Sequence, residues 1–335
     1  MKKLSLFLSL IALTIFISCN DDEPAASEEV EADFSATATD IFTGEAVTFS
    51  DQSTGNPTMW EWTFEGGSTA TSAEQNPTVV FNSVEDVTVT LTASNADRSA
   101  TNEKIDFLRV RTEPAAYFPL NGMAIEQLNG TISGTLSGTS PVFDRDNQTG
   151  GAIQFDGIDD HVNFGDVLDF DTRDFTISLW TNVGEFKGPL AGTGSAGAWM
   201  IAKGITIAGT PRRAGYALKA QNIEGENYFV FLVGGQNEVI YTIRNTGGYE
   251  TDRWYHIVGR KTDGKMELFV NGALVAESTI PEGLNVDTTI PLSLGRIDKL
   301  GFDPDGTTYF DGAVDDVKIY DSALSDDEIM KLSME

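Results

Sequence analysis

The chain has 335 residues, with 51 Asp and Glu against 22 Lys and Arg, a formal charge of −29 and a single cysteine. A field of that sign repels phosphate backbones and anionic headgroups, which excludes nucleic acid as a partner. One thiol excludes an internal disulfide and a thiolate metal site, leaving apolar cores and oxygen-ligated cations to hold the folded parts.

Lys2 and Lys3 precede an apolar run from Leu4 to Ile17. The run is too short for a comfortable bilayer span and sits where a secretory signal carries its apolar core. Phe16-Ile17-Ser18-Cys19 resembles a lipobox. The resemblance implies a signal peptide over residues 1–18, cleavage before Cys19 and diacylation of that thiol. Loss of Lys2 and Lys3 takes the formal charge from −29 to −31. Residues 19–31 are acidic, small and Pro-containing, cannot bury a core, and read as a tether. The segment is similar to the acidic export signal of Bacteroidota surface lipoproteins, which implies lipid anchoring in the outer membrane with the chain facing the cell exterior. A tether facing the periplasm would read the same way.

Beyond the tether, strand signals dominate. Val47-Thr-Phe-Ser, Thr78-Val-Val-Phe and Val87-Thr-Val-Thr-Leu-Thr-Ala are β-branched alternating runs bounded by Gly, Asn, Asp and Pro. Val87, Val89 and Leu91 face one way and Thr88, Thr90 and Thr92 the other, the pattern of a half-buried sandwich strand. Trp60-Glu-Trp-Thr-Phe-Glu-Gly-Gly, Asn76-Pro-Thr-Val-Val-Phe and Val87 to Asn95, in that order, resemble the PKD domain, an immunoglobulin-like module, over residues 32–112. Trp62-Thr-Phe-Glu-Gly-Gly keeps the family's rings and glycines and loses its acidic pair. PKD modules serve mostly as spacers, and Trp60 and Trp62 are expected to pack in core and turn.

Glu113-Pro114 marks a joint, since proline stops a β-ladder. From Ala116 onward, Ala152-Ile-Gln-Phe-Asp-Gly, Phe175-Thr-Ile-Ser-Leu-Trp, Trp254-Tyr-His-Ile-Val, Met266-Glu-Leu-Phe-Val-Asn-Gly and Val314-Asp-Asp-Val-Lys-Ile-Tyr are strand-like between Gly-, Asn- and Asp-rich connections, which reads as a jelly roll. Ser325 to Leu332 reads as a short helix with a Ser325/Glu328 capping box. These segments, opening with Ala116-Tyr-Phe-Pro-Leu-Asn-Gly, resemble the LamG, or concanavalin A-like, fold over residues 116–335. The fold class expected is all-β: a PKD sandwich followed by a concanavalin A-like jelly roll.

Enzymes with this fold place paired carboxylates on one strand as Glu-x-Asp-x-x-Glu. Asp315-Asp316 and Asp326-Asp327-Glu328 have the acids without the spacing, and no Gln-x-His strand of a polysaccharide lyase occurs. His161 and His256, the two imidazoles, sit at strand positions that read as packing. The chain is therefore read as non-catalytic.

Two acidic clusters, Asp156 to Asp160 and Asp311 to Asp316, lie near the two ends of the second domain. Asp315 shares strand parity with Val317 and Ile319 and is expected to point inward, where a carboxylate needs a cation or donors. LamG domains often carry calcium, and the resemblance places Ca2+ at Asp156, Asp160 and Asp315. Turn capping and backbone hydrogen bonds would account for the same acids.

No acidic residue lies between Glu185 and Glu224, a stretch that instead holds Lys187, Lys203, Arg212, Arg213, Lys219, Trp199 and Tyr216. Arg matches a carboxylate or sulfate bidentately and an aromatic face packs on sugar C–H groups. Trp199, Lys203, Arg212, Arg213 and Tyr216 are accordingly the candidate ligand residues for an acidic polysaccharide such as alginate, with Tyr228, Tyr249 and Arg244 next. Lipid anchor, PKD spacer and LamG domain together resemble surface glycan-binding proteins of polysaccharide-utilisation loci, which implies capture for an outer-membrane importer complex. An adhesin or matrix-binding protein needs the same rigid platform on a stalk.

Overall fold

The computed structural model describes residues 29–128, 130–185, 198–205, 214–236, 239–297 and 309–335. The chain divides between Arg111 and Thr112 into two compact units.

In the first unit a five-stranded sheet runs in the order Asp40–Phe42, Ser99–Arg111, Asp86–Ser94, Met59–Phe64, Thr71–Ser72. A three-stranded sheet of Phe34–Ala36, Ala46–Asp51 and Thr78–Val80 completes the sandwich. The alternation has its expected result: Val87, Val89, Leu91 and Ala93 are fully buried and their Thr neighbours half-buried. Trp62 lies in the core, stacked on Phe64, and its indole N–H donates to the Glu74 carbonyl at 2.9 Å. Trp60, on the same face, packs half-buried at the edge of that core and donates to Asp51 Oδ2 at 2.8 Å. Both tryptophans are framework. Val30 is buried in this core and Glu31 bridges to Thr54, so the sandwich begins inside the segment read as tether. One apolar side chain among acids is enough to dock that end.

The second unit is a jelly roll. Its seven-stranded sheet runs Thr135–Ser137, His161–Gly165, Leu292–Leu294, Ala198–Gly204, Gly215–Ile223, Glu226–Gly234, Ile240–Arg244. The facing sheet runs Ser140–Val142, Ala152–Asp156, Asp311–Tyr320, Phe175–Val183, Trp254–Thr262, Lys265–Val270, Ala273–Thr279, and Ala116–Phe118 pairs with the far half of Asp311–Tyr320. Phe155, Phe175, Tyr216, Leu218, Phe231, Val314 and Val317 are among the residues of the core between the sheets. The helix Asp326–Leu332 carries the Ser325/Glu328 capping box and buries Ile329 and Leu332 against Val258, Phe269 and Tyr320 on the outer side of the second sheet. Every strand read from the sequence is a strand here.

Two irregularities decide where functional side chains point. Ser178 pairs with Lys318 but Trp180 with Asp315, so the strand Asp311–Tyr320 spends one extra residue, with Asp316 at φ 46°. This β-bulge resets the alternation, so that Val314 and Val317, three apart, both face the core. A second shift falls between Trp199 and Ile201.

Candidate functional site

The calcium reading is corrected in one member. Beyond the bulge Asp315 is buried but turned away from the inter-sheet core, and Arg145 holds it: Nη1 lies 2.6 Å from Asp315 Oδ2 and Nη2 2.7 Å from Asp316 Oδ2. The guanidinium lies over the Trp180 ring at 4.7 Å, and Tyr117 Oη donates to Asp316 Oδ1 at 2.6 Å. Asp315 is thus balanced by arginine, and no metal-holding group that includes it forms among the described residues. Burial first, and then Asp316, still push its pKa up to about 7.

Asp156 and Asp160 do come together, with Asp159, which the sequence reading left out: one carboxylate oxygen of each lies within 4.8 Å of the others. Asp160 Oδ2 accepts from the Asp156 N–H at 3.0 Å, and Asp156 Oδ1 accepts from the Ile158 N–H at 2.8 Å. Gly138 sits at φ +76° where a Cβ would strike Asp160 Oδ1, so glycine lets that carboxylate lie against the backbone. Burial and the charges of Asp156 and Asp159 raise the Asp160 pKa. Clustered hard oxygens with unspent lone pairs fit calcium chemistry.

His256 packs inside the fold, while His161 takes the outward parity of its strand. His256 is buried, with Nε2 2.8 Å from Ser178 Oγ, and burial lowers its pKa to about 3. His161 Nδ1 contacts the Asp159 carbonyl at 2.8 Å.

The predicted ligand residues separate into three groups. Tyr216 is corrected: its strand alternates Tyr216, Leu218, Ala220 inward, so the ring joins Phe170 and Phe175 in the core and Oη donates to the Leu168 carbonyl at 3.0 Å. Lys203 is corrected as well, being 1 % exposed and spent on Asp166 at 2.7 Å and Asp169 at 3.0 Å. Arg212 and Arg213 lie outside the described residues. Trp199 is fully buried in a cluster on the outer side of the seven-stranded sheet, with Ala202, Ala217, Val230 and Leu232, so it offers no open ring for stacking.

That outer side nonetheless gathers a distinctive set. Cross-strand pairing puts Trp199, Lys219, Val230 and Arg244 in one row over four strands. Gln221 pairs with Tyr228 in the next row of the same face. Lys219 Nζ lies over the Trp199 ring at 5.0 Å, and exposed Arg244 lies over half-buried Tyr228 at 4.7 Å. The face therefore passes from a rim of stacked arginine and tyrosine to a buried lysine and indole. Of the second-choice residues, Tyr228 and Arg244 belong to this face, while Tyr249 is buried against Phe229. Lys219 and Gln221 are the residues sequence reasoning left out of the site. Their signal was there: in Tyr216 to Gln221 the polar residues fall on the parity opposite the apolar ones.

A second place with recognition chemistry is a groove of about 360 Å³ on the other sheet, where exposed Phe143 and half-buried Trp254 border Gln154, Asn182 and Asp311.

Two antiparallel sheets enclosing one core, with polar and aromatic side chains on their outer faces, define a lectin-like jelly roll. The profile of the concanavalin A-like lectin/glucanases superfamily matches residues 156–330, more than half of the sequence, and the chain belongs to that family. The PKD domain profile matches residues 31–105. No curated protein matches by sequence. Among solved structures, domain 4 of AbnA, an extracellular arabinanase from Geobacillus stearothermophilus in complex with arabinotriose, is 15 % identical, covering 66 % of this chain and 98 % of that one at a TM-score of 0.49. The binding domain of Paraclostridial Mosquitocidal Protein 1 is 17 % identical, covering 62 % and 48 %, also at 0.49. The binding domain of botulinum neurotoxin serotype D/C is 12 % identical, covering 66 % and 51 %, at 0.49. The match thus spans about half the length of the two toxin domains, and the likeness is one of fold alone.

Proposed function

We propose that the protein is a non-catalytic polysaccharide-binding lipoprotein, held by Cys19 at the outer membrane, whose jelly roll captures an acidic glycan such as alginate for a neighbouring importer. The observation that carries this reading is the face that runs from Arg244 and Tyr228 to Lys219 and Trp199. Cationic donors beside aromatic rings suit a sugar acid, whose ring packs on an aromatic face while its charge meets the cation. In affinity electrophoresis, acidic polysaccharides are expected to retard the protein, and Tyr228→Ala and Arg244→Ala each to weaken retardation about tenfold, the effect of losing about 1.4 kcal/mol. The arginine effect should fade with salt, since exposed charge is screened. Retardation by no glycan would turn the reading to an adhesin, and release of reducing ends or unsaturated uronate to an enzyme. Retardation by neutral glycans alone, lost in Trp254→Ala, would move the site to the groove beside Trp254, whose amides and carboxylate suit hydroxyl groups. Membrane partition that Cys19→Ala does not abolish would refute the anchor.

The reading includes one calcium ion held by Asp156, Asp159 and Asp160. A cation bound only by the folded state at 100 times its Kd stabilises by about 2.7 kcal/mol. Chelation is therefore expected to lower the Tm of the jelly roll by several degrees and to leave the PKD domain unchanged. An identical melting curve in chelator would leave these acids as turn residues.

A further inference from the structure

Every other strongly buried cation described in the jelly roll has its partner. Lys203 has Asp166 and Asp169, Lys261 has the Thr172 and Arg173 carbonyls, and Arg260 has Glu267 and the Leu324 carbonyl. Lys219 does not. It is 3 % exposed, and among the described residues its ammonium meets only the Trp199 ring. Burial lowers its pKa to about 8, with no carboxylate among the described residues to restore it. The groups around it are also unspent. Trp199 Nε1 is buried without an acceptor. Gln221, 6 % exposed and two residues along the same face, has no side-chain partner among the described residues.

Buried polar groups in folded proteins are nearly always paired, because an unpaired donor forfeits its hydration for nothing in return. Ammonium, indole and carboxamide lie on one face of the sheet, and the first two can only donate. Such a set complements an anionic oxygen and repels a cation. We propose that Lys219, Gln221 and the indole N–H of Trp199 form a subsite for the anionic group of a glycan, a carboxylate or a sulfate ester. This rests on the reading of this face as the glycan-binding one. Arg244 lies two strands away, roughly 10 Å at ordinary strand spacing. A monosaccharide therefore probes the Lys219 subsite separately from the Arg244 rim.

The test is titration of the full chain, 15N-labelled in its five tryptophans, with sodium glucuronate, glucose 6-sulfate or glucose at constant ionic strength, the Trp199 indole signal being assigned by Trp199→Phe. Glucuronate or the sulfate ester is expected to shift that signal saturably, glucose and sodium chloride to leave it in place, and the preferred anion to tell carboxylate from sulfate. Lys219→Met should abolish the shift while the other four indole signals keep their positions, and Gln221→Leu should weaken it severalfold. No shift with either anion, or a shift that survives Lys219→Met, overturns the subsite. If acidic polysaccharides still retard the protein in that case, the glycan-binding reading stands and only this assignment falls.

Discussion

Arg145→Met is expected to cost the jelly roll about 3–5 kcal/mol, because it leaves the buried carboxylate of Asp315 without a counter-charge. Three contacts converge on that guanidinium: Asp315 at 2.6 Å, Asp316 at 2.7 Å, and the Glu335 carbonyl at 3.1 Å. Met keeps the apolar contact with Trp180 and removes only the charge and its donors. The size of the loss should depend on pH with a definite sign. Asp315 has a folded-state pKa raised to about 7, above its unfolded value, so the folded chain binds more protons between about 4 and 7. Stability then falls as pH rises through that window. Arg145 is the group holding the pKa down against burial and Asp316, so the variant should fall more steeply and lose more at pH 8 than at pH 5. The double variant Arg145→Met/Asp315→Asn should recover most of the loss, since it removes the orphaned charge as well. Urea denaturation at the two pH values measures this. A single variant as stable as the parent at pH 8 would mean that something other than Arg145 neutralises Asp315, and would return it to the calcium site.

Lys219→Met is expected to act in the opposite direction and stabilise the domain at pH 7. Lowering a lysine from 10.5 to about 8 corresponds to roughly 3 kcal/mol of penalty on the charged form at about 1.4 kcal/mol per pKa unit. The contact with the Trp199 ring offsets about 1–2 kcal/mol of it. The difference leaves a gain of about 1–2 kcal/mol for an apolar side chain of similar length. Linkage supplies a check free of other changes. Between about pH 8 and 10.5 the unfolded chain binds the proton that the folded chain has released, so the parent gains stability with rising pH across that window and the Met variant does not. The gap between them should close over those pH units. A variant less stable than the parent at pH 7 would show that Lys219 has a structural partner, and would remove the physical basis of the anion subsite.

The strands, the domain order and the family were legible because their signals are local. Val87 to Ala93 alternates with a period of two, Ser325 and Glu328 cap a helix at fixed spacing, and the Trp62-Thr-Phe-Glu-Gly-Gly run survives as a linear string. Composition also gave the charge field and the absence of disulfides without help from any contact. The site was legible only as a region. An acid-free stretch says that cations are concentrated there, but it does not say which of them are already paired. Lys203 and Lys219 look alike in sequence; Asp166 and Asp169 arrive from 34 to 37 residues away to neutralise one and nothing described neutralises the other. Parity predicts which face a side chain takes only while the ladder is regular. It would have placed Tyr216 in the core and Lys219 outside, and it failed for Asp315 because one extra residue in Asp311–Tyr320 turned the chain over. That bulge is a product of pairing with Phe175–Val183, and the arginine that compensates Asp315 lies 170 positions earlier. What the sequence by itself determined is therefore the set of strands and their chemistry. Which charges are satisfied was decided by tertiary pairing, because the Coulomb energy of a buried group depends on neighbours that only the folded chain brings near.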